Sequence, residues 1–419
     1  MRKITSILLV LCFLSMSNSA FSGGDVPRLI HSGFLPLPNG CIMFYGRLIW
    51  DELENLNRPL ADKHFSEFFR RRVKEFPLQL TFGRFYVQTC TNNIGDFEGI
   101  IPAYMANELY TNEPIVFSSC YDPNFYETRV FNLPKAPSYL IVSDLDDTAE
   151  ISNVLEKMKL LENEFLKNWR KKKSVPGIPE LYRELVYQNY PEAQNLLVFL
   201  TQSPIYFGAR IEGFLDLNYF PPHSSLLSRM GIKEDFFDKF FHKTHGDADP
   251  LDVFQYKVSK FYTLLRLYPD LPVILFGDSG QKDPEVFQRV IELFPGRVRA
   301  VAIRNITWQG IDSPRYNLLR TEVPLIVWTS SQFLKDCLKR LGLINSGNVN
   351  PGSTNPGNQN PDNKYPDNQY PNNLNTGNLY PVSGQYDDPL SQFKHTFEPI
   401  TGFFSHFLNY FHWRLHFAQ

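Results

Sequence analysis

Residues 139–148 read YLIVSDLDDT, an apolar run that ends in two alternating acids and a threonine. A short, continuous apolar run of this kind is typical of a strand that is buried on both faces of a parallel sheet. Asp144 and Asp146 follow the run directly, and Thr148 closes the motif. Because ligands bind beyond the carboxyl ends of the strands in such sheets, we expect the chemistry of the protein here.

Further along the chain, strand-like runs alternate with helix-like runs. Strands are predicted at residues 138–142, 195–201, 272–276 and 298–302, and helices at residues 151–167, 253–267 and 283–294. Strands that alternate with helices of ten or more residues predict βαβ units around a parallel sheet. The predicted fold class is therefore α/β, with a parallel sheet flanked by helices over residues 136–342.

Two other predicted strands also end in polar residues. Thr201 follows one of them, and its hydroxyl can hold a phosphate oxygen. The other runs into FGDSGQKD (276–283), where Asp278 and Asp283 lie five residues apart on one loop. This arrangement suits a second metal ligand and a supporting acid. On the predicted helix before that strand, Lys257 would balance the negative charge of the carboxylates and of a phosphate.

Two carboxylates placed two residues apart at a strand end can converge on one phosphorus atom. Asp144 would attack phosphorus to form an aspartyl-phosphate, and Asp146 would protonate the leaving oxygen and then activate water. A Mg²⁺ ion would neutralise the charge and orient both groups. From the residues alone, a helix cap or a calcium site remains the alternative for residues 144–148, and a solvated acidic turn for residues 278–283.

The four elements come in the order acid pair, hydroxyl, lysine and acid pair. This order resembles that of the haloacid dehalogenase (HAD) superfamily of phosphohydrolases. The chain further resembles the phosphatidate phosphatase family in five stretches of sequence. These are SDLDDT (143–148), VPGIPELYREL (175–185), FLTQSP (199–204), residues 256–287 and FPGRVRAVAIRNI (294–306). Two upstream stretches resemble the N-terminal β module of the family, GRLIWDE (46–52) and NNIGDFEGIIP (92–102).

The resemblance implies a HAD-like Rossmannoid sheet and Mg²⁺-dependent hydrolysis of phosphatidate or a related lipid phosphomonoester. By the same resemblance, the catalytic residues are Asp144 as nucleophile, Asp146 as general acid and base, and Lys257. The implied metal group comprises Asp144, Asp146 through its main-chain carbonyl, Asp278 and Asp283. The predicted substrate-binding residues are Thr148, Thr201, Ser279 and Gly280.

The sequence also departs from the family pattern. Tyr256 stands before Lys257, where the family usually has histidine, and Thr201 stands where the family often has serine. Residues 220–245 match poorly, which leaves the substrate open. The alternatives to a lipid phosphatase are a phosphatase for soluble or protein phosphoesters, and a non-catalytic secreted adhesin or scaffold that keeps the fold.

The N-terminal residues predict export. Residues 1–20 read as a signal peptide, with two basic residues, a short apolar run and then small residues, and the alternative is a buried helix. We therefore expect the protein in a periplasm or an extracellular space. Four cysteines follow the signal, so one or two disulfides are expected without a pairing. They are Cys41, Cys90, Cys120 and Cys337.

The remaining segments differ in composition. Residues 25–135 carry short apolar runs separated by turns, which predicts a β-rich domain with one helix near residues 60–76. Residues 343–387 are rich in Asn and Pro and predict a disordered linker. Residues 388–419 carry aromatic residues at helical spacing, as an amphipathic tail would. This tail would pack on the domain, lie on a membrane surface or dock another protein.

Composition excludes one broad class of function. The chain has 419 residues, with 42 basic and 44 acidic side chains and a formal net charge of −2. A general nucleic-acid-binding protein would carry a clustered basic excess. We therefore expect no nucleic acid as partner. The family resemblance implies a lipid phosphate as partner, and the aromatic tail suggests peripheral membrane contact.

Overall fold

The structure is a computed structural model, and it describes six stretches of the chain. They are residues 25–52, 72–111, 113–152, 169–190, 192–228 and 253–345. The predicted signal peptide, the aromatic tail and nearly all of the predicted linker lie outside the described residues. The predicted helix at 151–167 lies outside them from residue 153 onward. The predicted domain boundaries stay predictions.

Two antiparallel sheets form the N-terminal part of the described chain. Their strands are β1 (Asp25–Pro36), β2 (Ile42–Glu52), β3 (Pro77–Phe82), β4 (Phe85–Cys90), β5 (Asp96–Ile101), β6 (Pro114–Ser118) and β7 (Tyr126–Val130). One sheet has the order β1-β2-β5 and the other has the order β4-β3-β6-β7. A short helix, α1 (Ala103–Ala106), and a 3₁₀ turn (Asn107–Thr111) follow β5. The predicted β-rich N-terminal region is confirmed.

Phenylalanine side chains join these two sheets. Phe117 on β6 lies with its ring centroid 6.4 Å from that of Phe34 on β1 and 6.0 Å from that of Phe97 on β5. All three rings are buried. The chain has 36 phenylalanines among its 419 residues. Because fully buried aromatic rings contribute a large apolar area, this contact accounts for some of them.

Residues 78–88, which read LQLTFGRFYVQ, form a hairpin. Phe82 lies opposite Phe85 across the antiparallel pair of β3 and β4, so Gly83 and Arg84 make a two-residue turn. Gly83 has a φ of 49°, in the left-handed region that glycine adopts without steric cost. The turn signal in the sequence was therefore a single glycine.

A six-stranded parallel sheet forms the second part of the described chain. Its strands are β8 (Leu140–Ser143), β9 (Leu196–Pro204), β10 (His223–Ser228), β11 (Val273–Asp278), β12 (Val298–Arg304) and β13 (Leu325–Trp328). The helices that accompany it are α2 (Ile178–Tyr187), α3 (Gly208–Leu217), α4 (Val253–Leu267), α5 (Asp283–Leu293), α6 (Asn317–Glu322) and α7 (Ser331–Arg340). Short 3₁₀ turns lie at Trp169–Lys171, Ile205–Phe207 and Pro314–Tyr316. The predicted α/β class is confirmed.

The strand order determines where a ligand can bind. It runs β10-β9-β8-β11-β12-β13, and every neighbouring pair is parallel. From β8 the chain first builds the sheet toward β10 and then returns to the other side with β11. The topological switch point therefore lies between β8 and β11, and the crevice beyond their carboxyl ends is the expected ligand site.

The N-terminal sheets pack directly against the parallel sheet. The Tyr45 hydroxyl on β2 lies 2.7 Å from Ser224 Oγ on β10, and His31 Nε2 on β1 lies 3.1 Å from the Ser225 carbonyl. Gly208 begins α3 against β1, and a Cβ there would lie 2.6 Å from the Cβ of His31. A side chain at position 208 would therefore push β1 away from α3 and the parallel sheet.

Three further observations concern the remaining predictions. All four cysteines that follow the predicted signal are described and free, so the expected disulfides are absent from the structure. Residues 72–76, the end of the helix predicted near residues 60–76, are not helical, and Arg72 forms an isolated bridge with Ile49. No helix among the described residues is both long enough and apolar enough to span a bilayer.

Candidate active site

The site is built where β8 and β11 end side by side. Asp144 follows β8, and its N–H donates to the Phe276 carbonyl of β11 at 2.9 Å. Asp278 is the last residue of β11. Both carboxylates are buried, at 5% and 0% exposure. Parallel pairing of two adjacent strands thus brings together two acids that are 134 positions apart in the sequence.

Lys257 supplies the positive charge of the site. Its ammonium lies 2.8 Å from Asp144 Oδ1 and 2.6 Å from Asp283 Oδ1, and its side chain is buried. Burial alone would lower the pKa of Lys257, but the attraction and hydrogen bonds of the two carboxylates outweigh burial and raise the pKa. The lysine therefore stays charged and holds Asp144 in place from helix α4.

Asp283 reaches this ammonium because Gly277 leaves room for it. Asp283 is the first residue of helix α5. Its carboxylate Oδ2 accepts a hydrogen bond from the Asp278 N–H at 3.1 Å. A Cβ on Gly277 would lie 2.6 Å from Asp283 Oδ2 and 2.7 Å from Asp283 Cβ. The loop after β11 can therefore fold back on itself only with glycine at position 277.

We expect the Gly277→Ala substitution to lower both stability and activity. The new methyl group would displace the Asp283 carboxylate from Lys257, at a cost of roughly 1–3 kcal/mol for overpacking a buried site. Gly310→Ala is the matched control, because nothing lies within 4 Å of a Cβ at that position. Thermal melting of both variants checks this prediction, and equal melting temperatures for the two would contradict it.

Three acids form a cluster that fits a divalent cation. One carboxylate oxygen from each of Asp144, Asp278 and Asp283 lies within 4.8 Å of the other two. Asp144 Oδ2 and Asp278 Oδ2 are buried and accept no hydrogen bond. Carboxylate oxygens are the ligands that Mg²⁺ prefers in proteins, and two buried oxygens without donors are suited to a cation.

The same crowding of acids shifts the pKa of two of them, Asp144 and Asp278. Burial, together with repulsion from Asp283 and Asp278, raises the pKa of the Asp144 carboxyl well above its usual range, although Lys257 opposes this. Burial and the Asp283 charge raise the pKa of Asp278 to about 8. One lysine does not balance three buried acids, so the site has a charge deficit that a cation would correct.

Asp146 lies in a different environment from Asp144. Its carboxylate is half-buried and accepts hydrogen bonds from the hydroxyls of Ser152 at 2.8 Å, Thr201 at 3.2 Å and Ser203 at 3.3 Å. Neutral hydroxyl donors can serve a carboxylate in either protonation state. Asp144 therefore contacts the ammonium of Lys257, whereas Asp146 is bound by neutral hydroxyls. Two acids with different chemical roles require different environments of this kind.

A turn with left-handed backbone at Asp147 positions the Asp146 carboxylate. Asp147 has a φ of 53°, in the left-handed region, and its carboxylate accepts the Ser152 N–H at 2.9 Å. Arg304 at the end of β12 donates to the Asp147 carbonyl at 2.7 Å. Held at both ends, the turn brings the Ser152 hydroxyl back to Asp146. Left-handed backbone at a non-glycine residue is common at functional sites, where surrounding contacts maintain it.

Ser279 and Gly280, two of the four predicted substrate-binding residues, are hydrogen-bonded within the protein, and a third, Thr148, is buried. Ser279 Oγ accepts hydrogen bonds from Ile306 N at 2.9 Å and from Thr307 N at 3.0 Å. Gly280 N donates to Asp278 Oδ1 at 2.5 Å. Thr148 is fully buried, and its hydroxyl has no partner. Their contact with a substrate stays a prediction, as does the Asp146 carbonyl as a metal ligand.

Sequence reasoning missed Ser152, Ser203 and Arg304. Ser203 follows Thr201 by two residues, so strand periodicity places both side chains on one face and was an available signal. Arg304 lies opposite Asp278 in the pairing of β11 with β12. Because Arg304 closely follows a predicted strand of the parallel sheet, its position at the carboxyl edge was also an available signal. For Ser152 no signal existed, because its position depends on the turn at Asp147.

Comparison with known proteins agrees with this geometry. A family model described as "Phosphatidate phosphatase APP1, catalytic domain" matches residues 139–305. An uncharacterized protein of Schizosaccharomyces pombe is 21% identical over 259 residues, covering 61% of this chain and 40% of that protein. The phosphatidate phosphatase APP1 of Saccharomyces cerevisiae is 23% identical over 181 residues, covering 42% of this chain and 27% of that protein.

The chain spans less than half the length of these curated relatives. Among solved structures, a ferredoxin-NADP+ reductase from Plasmodium falciparum aligns with a TM-score of 0.16 and 8% identity, over 74% of this chain and 99% of that chain. A likeness at that level supports no conclusion about fold or function. The matched segment, by contrast, contains every acid of the cluster and Lys257. Residues 139–305 of the chain are therefore similar to the catalytic domain of phosphatidate phosphatases, and this similarity supports a phosphomonoester hydrolase.

Proposed function

We propose that the protein is a Mg²⁺-dependent phosphatase that hydrolyses phosphatidate or a related lipid phosphomonoester through an aspartyl-phosphate on Asp144. One observation carries the proposal. At the switch point of the sheet, Asp144 binds the Lys257 ammonium with one oxygen and keeps the other oxygen buried and without a hydrogen-bond donor. The family match over residues 139–305 supports a phosphate ester as substrate.

The first half of the reaction follows from the two acid environments. A carboxylate oxygen of Asp144 forms a bond to phosphorus while the bond from phosphorus to the ester oxygen breaks. Lys257 fixes the orientation of the attacking carboxylate and balances charge at phosphorus. Asp146, held by Ser152, Thr201 and Ser203, gives its proton to the leaving oxygen, which departs as an alcohol.

The second half regenerates the enzyme. Asp146, now ionised, takes a proton from the water that attacks phosphorus, and the bond between phosphorus and the Asp144 oxygen breaks to release inorganic phosphate. Asp144, Asp278 and Asp283 would hold Mg²⁺, which when bound neutralises negative charge on the phosphoryl group. Asp283 also keeps Lys257 in position through their 2.6 Å contact.

A substrate panel tests the proposed function. The purified chain should release inorganic phosphate from phosphatidate in mixed micelles when Mg²⁺ is present and should stop when a chelator is added. A higher rate on small soluble phosphomonoesters than on phosphatidate would favour a phosphatase for soluble phosphoesters. Absence of Mg²⁺-dependent release from every phosphomonoester would refute the enzymatic proposal and favour a non-catalytic scaffold.

We expect the metal-free protein to lose stability as pH rises from about 4 to about 8. The folded pKa of Asp278 is raised from 3.8 to about 8, so the folded state holds a proton that the unfolded state releases over this range. Mg²⁺ competes with that proton and should therefore stabilise the protein more at high pH than at low pH.

Melting curves across this pH range check the expectation, with chelator or with Mg²⁺. The Asp278→Asn variant, which has no carboxyl group to titrate at this position, is the comparison. If the metal-free variant and the wild type show the same pH dependence, Asp278 does not titrate as expected.

We also propose that residues 1–20 act as a signal peptide that directs export of the chain and is then removed. The basic start and short apolar run of that segment support the proposal. Expression with and without the segment tests it, with the N-terminal sequence of the recovered protein as readout. Retention of an intact N-terminus inside the cell would argue against export.

A further inference from the structure

A tryptophan stands exposed on the loop that borders the candidate active site. Trp308 follows β12 by four residues and is 84% exposed, and Ile311 on the same loop is 44% exposed. Tryptophan is usually highly buried in folded proteins because burial of its large apolar surface is favourable. Ligand-binding loops lie at this edge of a parallel sheet, so the exposed pair stands beside the expected chemistry.

The backbone holds Trp308 in an unfavourable conformation. Its φ is 59°, in the left-handed region. Glycine, asparagine and aspartate adopt this conformation most readily, and for a bulky residue such as tryptophan it is an outlier. Such a conformation costs stability and persists only where neighbouring contacts impose it. A protein that needed only a turn at this position would be more stable with glycine, so exposure of an indole ring is the feature that needs a reason.

Those contacts are present at the base of the loop. Asn305 Nδ2 donates to the Gln309 carbonyl at 2.8 Å, and Gln309 N donates to Asn305 Oδ1 at 3.1 Å. The Thr307 hydroxyl donates to Ser279 Oγ at 2.8 Å. Trp308 is therefore carried on a closed turn whose base is bonded to the residue that follows Asp278. The loop is therefore already ordered in the folded protein, so that binding of a ligand loses little further conformational entropy here.

A second loop completes this edge of the site. The Arg315 guanidinium donates to the carbonyls of Ser279 and Gln281 and pairs with Glu285 at 2.7 Å. Arg315 thus ties residues 278–282 to residues 305–316, and we name these two stretches together the rim. Lys282 is exposed on the rim and offers an ammonium to phosphate headgroups.

We propose that the rim docks on a phospholipid bilayer, with Trp308 and Ile311 inserted at the headgroup level. The proposal rests on the proposed function, because the acyl chains of a lipid phosphomonoester stay in the bilayer while its phosphate must reach Asp144. The edge of the sheet that carries Asp144 and Asp278 must then face the membrane. Tryptophan is enriched at membrane interfaces, where its ring is partly buried and its N–H stays hydrated.

Fluorescence gives a direct test on the full-length protein. The chain has five tryptophans, so the emission of Trp308 is the difference between wild type and the Trp308→Tyr variant. With vesicles of phosphatidylcholine and phosphatidylserine that contain no phosphatidate, this difference emission should shift to the blue. It should also be quenched when the phosphatidylcholine carries brominated acyl chains. A difference emission that vesicles leave unchanged overturns the proposal, whatever other segments bind.

Activity gives a second and independent test. Trp308→Gly removes the ring and suits the left-handed backbone, so the variant should melt no lower than wild type. Its rate on phosphatidate in vesicles should fall about tenfold, equivalent to ~1.4 kcal/mol. Its rate on a small soluble phosphomonoester should stay unchanged. Tyr121→Ala is the matched control, since Tyr121 is 77% exposed on the N-terminal β-rich part.

The outcomes separate docking from catalysis. Equal losses of the Trp308→Gly variant on both substrates would overturn the proposal, because Trp308 would then act inside the site. An equal loss for the Tyr121→Ala variant on vesicles would overturn it as well, because the effect would not belong to the rim. If wild type hydrolyses no phosphomonoester, the proposed function fails, while the fluorescence result still decides whether the rim meets the bilayer.

Discussion

The Asp144→Asn variant should fold like wild type and release phosphate roughly 10⁶ times more slowly, the scale of loss found when a serine hydrolase loses its nucleophile. An amide cannot form the bond to phosphorus that the proposed mechanism assigns to the carboxylate. Its shape is nearly the same, so the surrounding packing should remain. The residue to which we assign the covalent intermediate is also the one that the structure buries beside Lys257.

The expected stability of this variant follows from the charges around it. Asp144 is repelled by Asp278 and Asp283, and together with burial this raises its pKa. Removing one negative charge relieves that repulsion. Lys257 loses one partner but keeps Asp283 at 2.6 Å. The two effects oppose each other, so we expect a melting temperature close to that of wild type despite the loss of activity.

Acid quenching during turnover of labelled substrate checks this prediction. Wild type should retain label as a covalent acyl phosphate, and the Asp144→Asn variant should retain none. Asp270→Asn is the matched control, because that carboxylate is exposed on the turn between α4 and β11 and lies outside the rim. Wild-type rates for the Asp144→Asn variant on every phosphomonoester would show that another group attacks phosphorus.

Much of the site could be predicted because the acids follow apolar runs. Asp144 directly follows one buried strand and Asp278 ends another, and the carboxyl ends of parallel strands meet at one edge of the sheet. The helix with Lys257 was predicted with the bounds that the structure gives, Val253–Leu267. Local pattern and global topology agree at these positions, and the sequence is most informative where they agree.

The rest depends on contacts between segments that are distant in sequence or on single backbone angles. The route by which Asp283 reaches Lys257 needs the close approach to Gly277, and the Ser152 contact needs the left-handed Asp147. Packing of β1 on β10 depends on complementary surfaces that carry no periodic signal. Trp308 gave no signal either, because exposure of one tryptophan is decided by the turn that carries it.

The Lys257→Met variant should lose both activity and stability. Its side chain has a similar length but no charge, so Asp144, Asp278 and Asp283 would lie together without the ammonium that now contacts two of them. Removing one partner from a buried ion pair typically costs about 3–5 kcal/mol. Protonation of the acids would soften this cost at low pH, so the loss in the free energy of unfolding should be larger at pH 8 than at pH 5.

Urea unfolding with chelator and with Mg²⁺ separates charge from packing in this variant. If the missing charge causes the loss, Mg²⁺ should raise the free energy of unfolding more in the variant than in wild type. The reason is that the three acids of the variant lack the ammonium that partly balances them in wild type. Lys74→Met is the matched control, since Lys74 is exposed on the N-terminal part. A loss that is the same at both pH values and in both media would mean that Lys257 stabilises the fold by packing alone. Activity lost without any loss of stability would instead assign its charge to the bound phosphate.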